Sequence, residues 1–237
     1  MNFTAGEFIY INKPYGMTSF GALAYVRTRI SRKIGVRRVK IGHAGTLDPL
    51  ATGVLILCTG KKTKDIERLQ LDTKEYTATL QLGATTPSYD MEHEVDHTYP
   101  TDHITRERID QALALFVGDI EQVPPQYSAV KIGGDRAYKL KRRGEEVTLK
   151  AKTVHIDEME VTRFDAETMQ LDIRVRCGKG TYIRSLARDI GRALDSGAYL
   201  TALCRTQLGD IRIEQCITLD DFQQWLDRQE VEMENKK

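Results

Sequence analysis

Residues 42–57 read Gly42-His43-Ala44-Gly45-Thr46-Leu47-Asp48-Pro49-Leu50-Ala51-Thr52-Gly53-Val54-Leu55-Ile56-Leu57. Three glycines and a proline in the first twelve positions disfavour a regular helix or strand and predict a tight loop. The apolar run over 53–58 that follows has the length of a buried strand. Asp48 is therefore predicted to lie in a stiff loop that fixes its carboxylate in place. The alternative is an aspartate in an ordinary turn, where Asp and Gly are common.

With 237 residues, the chain is long enough to bury a sizeable core without disulfides or metals. We expect no membrane span, because no apolar run reaches about 18 residues. The first residues lack the basic-then-apolar layout of a secretory signal. The four cysteines are scattered without a Cys-x-x-Cys pair, which argues against a zinc site and a disulfide framework. We therefore expect a cytoplasmic protein.

The net charge of +1 conceals a strong segregation of basic residues. Residues 21–41 contain seven basic residues and no acid, whereas 131–143 and 174–192 each contain six basic residues and one acid. Surfaces usually intersperse the two signs, so these three basic stretches predict a face that meets an anionic polymer. The alternative is three solvated faces that point in different directions.

Hydrophobic periodicity predicts strands and helices at irregular intervals, with no repeat of fixed period. The predicted strands are 7–11, 36–41, 53–58, 74–82, 154–163, 169–177 and 200–206. The predicted helices are 19–34, 61–71, 105–116, 181–194 and 218–226. This order favours an α+β fold with a large mixed, mainly antiparallel sheet flanked by helices.

The sequence also contains a glycine-rich turn and a strand tyrosine that bear on function. Residues 178–187 form a glycine-rich turn that opens a helix, where free backbone amides favour anions, although the spacing is not that of a P-loop. Tyr76 falls on the predicted inner face of its strand, and a core tyrosine is the usual reading of such a position.

Several of these segments resemble the TruB-type tRNA pseudouridine synthases. The family's motifs occur in order from Lys13 to about Arg205: the likeness rests on the Asp48 stretch, on Leu203-Cys204-Arg205 and on four more motifs. They are Lys13-Pro14-x-Gly16-x-Thr18-Ser19, Lys74-Glu75-Tyr76-Thr77-Ala78, Pro124-Pro125-x-Tyr127-Ser128-Ala129-Val130-Lys131 and Gly178-Lys179-Gly180-Thr181-Tyr182-Ile183-Arg184. The resemblance implies the pseudouridine synthase fold.

The resemblance also implies roles for individual residues. Asp48 would be the nucleophile and Arg184 the cation paired with it, which would keep the carboxylate ionised in a dry pocket. Tyr76 would stack on the target base and take its proton. Of the remaining implied site residues, His43 would contact the RNA, and Tyr182 and Leu203 would line the base pocket. Asp90 falls where the family often carries an acid near the substrate, and Lys13 would be a scaffold residue whose charge neutralises phosphate. Without the family, His43 reads as a loop histidine bonded to backbone groups, and Leu203 reads as core.

By this resemblance the reaction isomerises uridine to pseudouridine in the T loop of tRNA, at position 55, without metal or cofactor. The implied partner is tRNA, and we expect a monomer. We expect one catalytic domain over 1–237, with 210–237 as a short helical and acidic tail and without the C-terminal PUA-type domain of many relatives.

Two other functions stay open at this point. His93-Glu94-Val95-Asp96-His97 spells the H-E-x-x-H pattern of zinc proteases, which requires both histidines on one face of a helix. Pro87 and Pro100 bracket this segment, which favours an acidic loop instead. A tRNA-folding chaperone that changes no nucleoside is the second alternative.

Overall fold

The computed structural model describes residues 1–128 and 130–232. The helices within this part of the chain are α1 Ser19–Lys33, α2 Ile66–Leu69, α3 Arg106–Ala114, α4 Ala137–Arg142, α5 Ile183–Ala193 and α6 Phe222–Asp227. Its strands are β1 Phe8–Lys13, β2 Ile41–Ala44, β3 Thr52–Thr59, β4 Lys74–Leu82, β5 Ala84–Thr85, β6 His97–Thr98, β7 Gly118–Gln122, β8 Lys131–Ile132, β9 Asp135–Arg136, β10 Lys152–Asp165, β11 Gln170–Cys177, β12 Ala198–Leu208, β13 Ile211–Arg212 and β14 Ile217–Thr218.

The chain divides into two compact units. Unit 1 comprises Met1–Tyr76 and the chain from Cys204 onward, and unit 2 comprises Thr77–Leu203. The fold class is α+β with a large, mainly antiparallel sheet, which confirms the prediction from periodicity. In the part of the chain that the structure describes, no helix is long and apolar enough to cross a membrane.

The sheet of unit 1 is built around the buried strand β3. Strand β1 pairs with it antiparallel along one edge, from Phe8 opposite Cys58 to Lys13 opposite Gly53. The other edge of β3 is shared, because β12 pairs with its first residues in parallel and β2 pairs with its last four antiparallel. The loop between β2 and β3 contains Asp48. It begins after Ala44, which pairs with Ile56 of β3, and it ends where β3 begins, so β3 fixes both of its ends.

Successive side chains of β3 supply two different cores in unit 1. Leu55 and Leu57 pack in a cluster with residues of α1 and α6. Val54 and Ile56 pack in a second cluster, against which Ile66 of α2 lies. Since neighbouring strand residues point to opposite faces, α1 and α2 cover opposite faces of this sheet.

Helix α1 begins where its sequence predicts. The hydroxyl of Thr18 accepts a hydrogen bond from the Gly21 amide at 2.9 Å, the usual N-cap contact. The residues that point inward, Leu23, Val26 and Ile30 among them, recur at helical spacing and are buried.

The sheet of unit 2 follows the order β12-β4-β11-β10-β7, counting the parts of β4 and β12 within that unit. Strands β10 and β11 form a long antiparallel pair, in which Val161 lies opposite Ile173. Helix α3 packs against α5 and β10. Helix α5 turns Leu186 and Ile190 inward.

Three predicted elements are wrong, each for a local reason. Residues 36–40 form no strand, because the carbonyl and hydroxyl oxygens of Ser31 accept hydrogen bonds from the Val36 and Val39 amides and fold this segment back onto α1. The helix predicted over 61–71 is a 3-10 turn over Gly60–Asp65 followed by the single turn α2. The last helix begins at Phe222 rather than 218, because Thr218 pairs with β1.

Candidate functional site

The Asp48 loop of unit 1, residues 45–51, is pinned to the start of α1. The Ser19 hydroxyl accepts a hydrogen bond from the Leu47 amide at 2.9 Å and donates one to the Leu47 carbonyl at 3.0 Å. The Ala51 amide donates to the Asp48 carbonyl at 3.1 Å, which closes a turn around Pro49. Asp48 itself is half-buried. The structure therefore has the shaped loop that its glycines and proline predict.

Lys13 provides a buried cation beneath this loop. Its side chain is 0% exposed, and its ammonium donates hydrogen bonds to the carbonyls of Pro14 at 2.8 Å, Met17 at 2.6 Å and Pro49 at 3.2 Å. Burial lowers its pKa from 10.5 to about 8, against the opposing effect of the nearby Asp48 carboxylate. The ammonium of Lys13 thus joins the segment after β1, through Pro14 and Met17, to the Asp48 loop, through Pro49. Its contact with substrate stays a prediction.

Arg205 joins the first residue of the same loop to β3, and no sequence pattern assigned it a role. It is 1% exposed, its Nε donates to the Val54 carbonyl at 2.8 Å, and one terminal nitrogen donates to the Gly45 carbonyl at 2.9 Å. Gly53 has a φ of +103°, and a Cβ there would collide with the Arg205 backbone. No local pattern reveals this role, because an arginine on a strand is usually exposed.

His43 lies at the third position of β2, opposite Leu57, and is half-buried. Burial lowers its pKa, and the positive charge of Arg205 lowers it further. Its Nδ1 is buried and, among the residues that the structure describes, has no hydrogen-bond partner. The reading of His43 as a loop histidine bonded to backbone groups does not fit this nitrogen.

Arg184 of unit 2 lies in the first turn of α5 and is 4% exposed. Its terminal nitrogens donate to the Ser88 carbonyl at 3.3 Å and the Tyr127 carbonyl at 2.9 Å. Its Nε lies 3.6 Å from a carboxylate oxygen of Asp90. The structure thus brings together Arg184 and Asp90, two residues that the sequence analysis named from separate segments.

The loop that carries Asp90 is held by hydrogen bonds, as is the side chain of Arg184. One carboxylate oxygen of Asp90 accepts hydrogen bonds from the Ser88 hydroxyl at 2.6 Å and the Glu92 amide at 3.0 Å. Tyr89 has a φ of +60°, a conformation that is costly for a bulky residue. No sequence pattern predicts a constraint of this kind.

Tyr182 is the residue that precedes α5, and Gln122 holds its backbone. The Gln122 side chain accepts a hydrogen bond from the Tyr182 amide at 2.8 Å and donates one to the Tyr182 carbonyl at 3.2 Å. Gln122 is buried at the end of β7, a strand that periodicity did not predict. This contact spans sixty residues, and local sequence patterns carry no signal for it.

Tyr76 and Leu203 lie on strands, as expected. Tyr76 is buried on the face of β4 that also carries Ala78 and Leu80, which agrees with the predicted alternation. Leu203 is half-buried on β12. The expected site residues of unit 1 are Lys13, His43, Asp48 and Tyr76, and those of unit 2 are Asp90, Tyr182, Arg184 and Leu203.

The zinc-protease reading of 93–97 is wrong. These residues form a turn and extended chain that ends in the two-residue strand β6, so they lack the helix that places both histidines on one face. Across residues 1–128 and 130–232, no cluster of three or more His, Cys, Asp or Glu side chains is arranged to hold a metal ion.

Known proteins match this chain over nearly all its length. Residues 32–183 match the model of the TruB family pseudouridylate synthase N-terminal domain, and residues 184–235 match that of the tRNA pseudouridylate synthase B C-terminal domain. A tRNA pseudouridine synthase B of Bacteroides thetaiotaomicron is 61% identical over 234 residues, which cover 98% of each chain. One of Thermobifida fusca is 47% identical over 220 residues, which cover 90% of this chain and 73% of that one.

A solved structure shares the fold as well. The crystal structure of a Cbf5-Nop10-Gar1 complex contains a chain that is 30% identical, with a TM-score of 0.69. The match covers 95% of this chain and 56% of that one, so the present chain spans just over half of its length. Two family models and the full-length relatives agree with the motifs found in the sequence. The chain belongs to the TruB family of pseudouridylate synthases.

Proposed function

We propose that the protein isomerises uridine to pseudouridine in the T loop of tRNA, with Asp48 as the nucleophile. The observation that carries the proposal is how the Asp48 loop is held: the buried side chains of Ser19, Lys13 and Arg205 form hydrogen bonds with its backbone. A carboxylate held in this way is pre-organised for attack. The choice of tRNA as substrate is supported by the names of relatives that match the whole chain.

The proposed reaction conserves the formula of the nucleoside. Asp48 forms a covalent adduct with the target nucleotide, and the bond between uracil N1 and the ribose breaks. The uracil turns within its pocket, and a new bond joins its C5 to the ribose C1′. The bond between Asp48 and the nucleotide breaks, which restores the free carboxylate. The proton on C5 then leaves, while N1 ends protonated. The proposal requires no metal and no cofactor.

The other proposed roles follow the chemistry of each side chain. We assign Arg184 to the stabilisation of the charged nucleophile, because its guanidinium is buried and held by two carbonyls. We assign Tyr76 to stacking on the base and to taking its C5 proton. Tyr182 and Leu203 would line the pocket, where exclusion of water keeps the free uracil from escaping.

His43 is assigned to the extruded nucleotide, while Asp90 and Lys13 are assigned to holding the residues that act on it. Extruding a loop base costs a few kcal/mol, which phosphate contacts and stacking offset. His43 is suited to stack beside the flipped base, because its lowered pKa favours the neutral imidazole. We assign Asp90 to positioning Arg184, and Lys13 to holding the nucleophile loop.

The test is tritium release from an unmodified tRNA transcript labelled at C5 of its uridines. We expect one tritium to be released per tRNA. We expect none when cytidine replaces the T-loop uridine at position 55. Replacement of a uridine elsewhere in the tRNA is the matched control and should leave release intact. Release that survives the T-loop replacement would refute the position, and no release from any tRNA would support the chaperone alternative.

We also propose that the protein acts on tRNA as a monomer in the cytoplasm. Light scattering of the free protein and of its tRNA complex tests the first part, with one protein expected per tRNA. A dimeric mass in both states would contradict it.

A further inference from the structure

The three basic stretches differ in what their cations contact. In the third stretch, Arg184 and Arg188 are buried, and Arg174 forms ion pairs with Glu158 and Glu160 at 2.6 and 2.7 Å. Intramolecular contacts therefore occupy several of its charges. A count of basic residues overestimates what such a stretch offers to a partner.

The second stretch is also neutralised in part. Arg142 lies 3.0 Å from Glu92, and Arg143 lies 3.1 Å from Asp135 and 2.7 Å from Glu145. These exposed pairs are weak individually, but they place acids among the cations. The second stretch is therefore a mixed surface.

The first stretch is different. Of its seven cations, only Lys33 lies within 4 Å of a carboxylate in the part of the chain that the structure describes, where it faces Asp227 at 3.7 Å. The other six, which we call the α1 cationic surface, are Arg27, Arg29, Arg32, Arg37, Arg38 and Lys40.

The segment after α1 is braced, so its arginines project from a fixed backbone. The Val39 amide donates to the Ser31 hydroxyl at 3.0 Å, and both residues are buried. Ile34 is buried as well, which anchors the other end of the segment. Arg37 and Arg38 lie between these anchors and are exposed. A rigid loop that presents two adjacent arginines loses little entropy when it binds.

The fold itself does not require these charges. The dipole of α1 favours a cation in its last turn, which accounts for Arg32 but not for Arg37 and Arg38 beyond the helix. Two arginines of α1 lie over exposed or half-exposed rings: Arg29 is 3.3 Å from the centre of the Tyr25 ring, and Arg27 is 5.8 Å from that of Phe20. These contacts order the guanidinium groups without neutralising them.

We propose that the α1 cationic surface binds the phosphodiester backbone of the tRNA, away from the uridine that is modified. This inference rests on the proposed function. Arginine matches phosphate well, because its planar fork donates two hydrogen bonds at once. A surface with six cations and no neighbouring acid in 21–41 complements a polyanion.

The length of α1 sets where this contact falls. The helix starts at the Asp48 loop, where Ser19 bonds to Leu47, and its fifteen residues extend about 22 Å. Arg37 and Arg38 follow the far end of the helix. The phosphates that they contact are therefore those of the paired stem or the tRNA body rather than those of the flipped nucleotide.

The test compares two double variants of equal charge change. Arg37→Ala with Arg38→Ala removes two cations from the surface. Lys64→Ala with Arg68→Ala is the matched control, because these exposed residues lie in α2 and in the 3-10 turn before it, and α2 covers the opposite face of the unit 1 sheet. The dissociation constant of an unmodified tRNA transcript is measured at several salt concentrations for both variants and the wild type.

Each phosphate contact adds about 0.9 to the slope of log affinity against log salt. Loss of two contacts should therefore shrink the fall in affinity between 50 and 200 mM salt by about tenfold. The control should keep the slope of the wild type. A melting temperature within about 2 °C of the wild type would show that the first variant is folded.

Further measurements separate this inference from the proposed function. With saturating enzyme, the Arg37 and Arg38 variant should release tritium from tRNA at the wild-type rate. Its affinity for a short loop oligonucleotide without the stem should match that of the wild type. Equal slopes in all three proteins, or equal losses in the variant and the control, would overturn the inference. Absence of tritium release by the wild type would overturn the proposed function instead.

Discussion

Two sets of basic residues in unit 1 behave in opposite ways. Lys13 and Arg205 are buried beneath the Asp48 loop, where they donate five hydrogen bonds to backbone carbonyls. The α1 cationic surface contains six exposed or half-exposed cations without a carboxylate within 4 Å among residues 1–128 and 130–232. Positively charged side chains thus have two roles in unit 1, and the role of each depends on whether it is buried. Buried cations fix the geometry of the loop, and exposed cations remain available to a partner.

The physical basis of the difference is solvation. A charge in the interior is costly unless hydrogen bonds replace its water shell, so a buried arginine or lysine orders the groups around it. An exposed charge keeps its water and is screened by salt. Changes to the first set should therefore alter the chemical step, while changes to the second should alter salt-dependent binding.

Of the substitutions that test this comparison, Arg205→Met should have the largest effect on stability and on the single-turnover rate. The carbonyls of Gly45 and Val54 would lose their donor, which costs about 1–3 kcal/mol each. Misplacement of Asp48 should lower the single-turnover rate by about a hundredfold. Urea unfolding and tritium release measure the two effects. The affinity for tRNA and its dependence on salt should stay close to those of the wild type. A clear change in the salt dependence would contradict the view that buried cations affect only the chemical step.

The same reasoning extends to unit 2 through Arg184→Lys. A lysine retains the charge but lacks the fork that bonds to Ser88 and Tyr127, so the rate should fall by about thirtyfold. Arg188→Lys is the matched control, because Arg188 is buried one turn further along α5 and bonds to Asp189 and Val123. Equal rate losses in the two variants would indicate a general packing defect rather than a role for Arg184.

Lys13 adds a pH dependence. Its ammonium has a pKa of about 8, so raising the pH from 7 to 9 should leave about a tenth of the molecules with a charged Lys13. We expect the single-turnover rate to fall about tenfold over this range, because the loop loses its cation. The Lys13→Met variant should be slower at pH 7 and show no such fall. An identical alkaline fall in both proteins would assign it to another group.

Stability should change in the opposite direction. Between pH 8 and 10.5 the unfolded chain holds a proton on Lys13 that the folded chain has released, so the contribution of this residue to stability rises with pH. The rise is at most about 1.4 kcal/mol per pH unit. Urea midpoints of the wild type should rise relative to those of Lys13→Met across this window, and parallel curves would contradict the assignment.

The smallest effect is expected at the exposed pair of Lys33 and Asp227. Their charged atoms lie 3.7 Å apart at the surface, and such pairs contribute about 0–1 kcal/mol. Lys33→Ala should therefore shift the free energy of unfolding by less than about 1 kcal/mol and leave tritium release unchanged. A large loss of stability would show that the exposed cations of α1 stabilise the fold. It would contradict the view that they remain available to a partner.

Local sequence signals predicted much of the fold. The strict alternation over 74–82 gives β4 with its bounds, and the Thr18 cap followed by helical spacing gives α1. The motif residues also fell on the elements expected of them, with Asp48 in a loop and Arg184 in the first turn of α5.

What the sequence did not predict depends on contacts between distant residues. Arg205 bonds to Gly45 across 160 positions, and Gln122 holds Tyr182 across 60. Neither pair has a local pattern, because an arginine or glutamine on a strand resembles a solvent-exposed residue. The braced loop after α1 has the composition of a strand, because Val36, Val39 and Ile41 are β-branched, and its hydrogen bonds to Ser31 leave no local signal.

The central claim is that Asp48 performs the chemistry from a loop that buried cations hold. The most direct measurement is tritium release from C5-labelled tRNA by Asp48→Asn, alongside its tRNA affinity. The substitution keeps the size of the side chain and removes its charge, so we expect no detectable release and an affinity within about threefold of the wild type. Release at a rate comparable with that of the wild type would contradict the account.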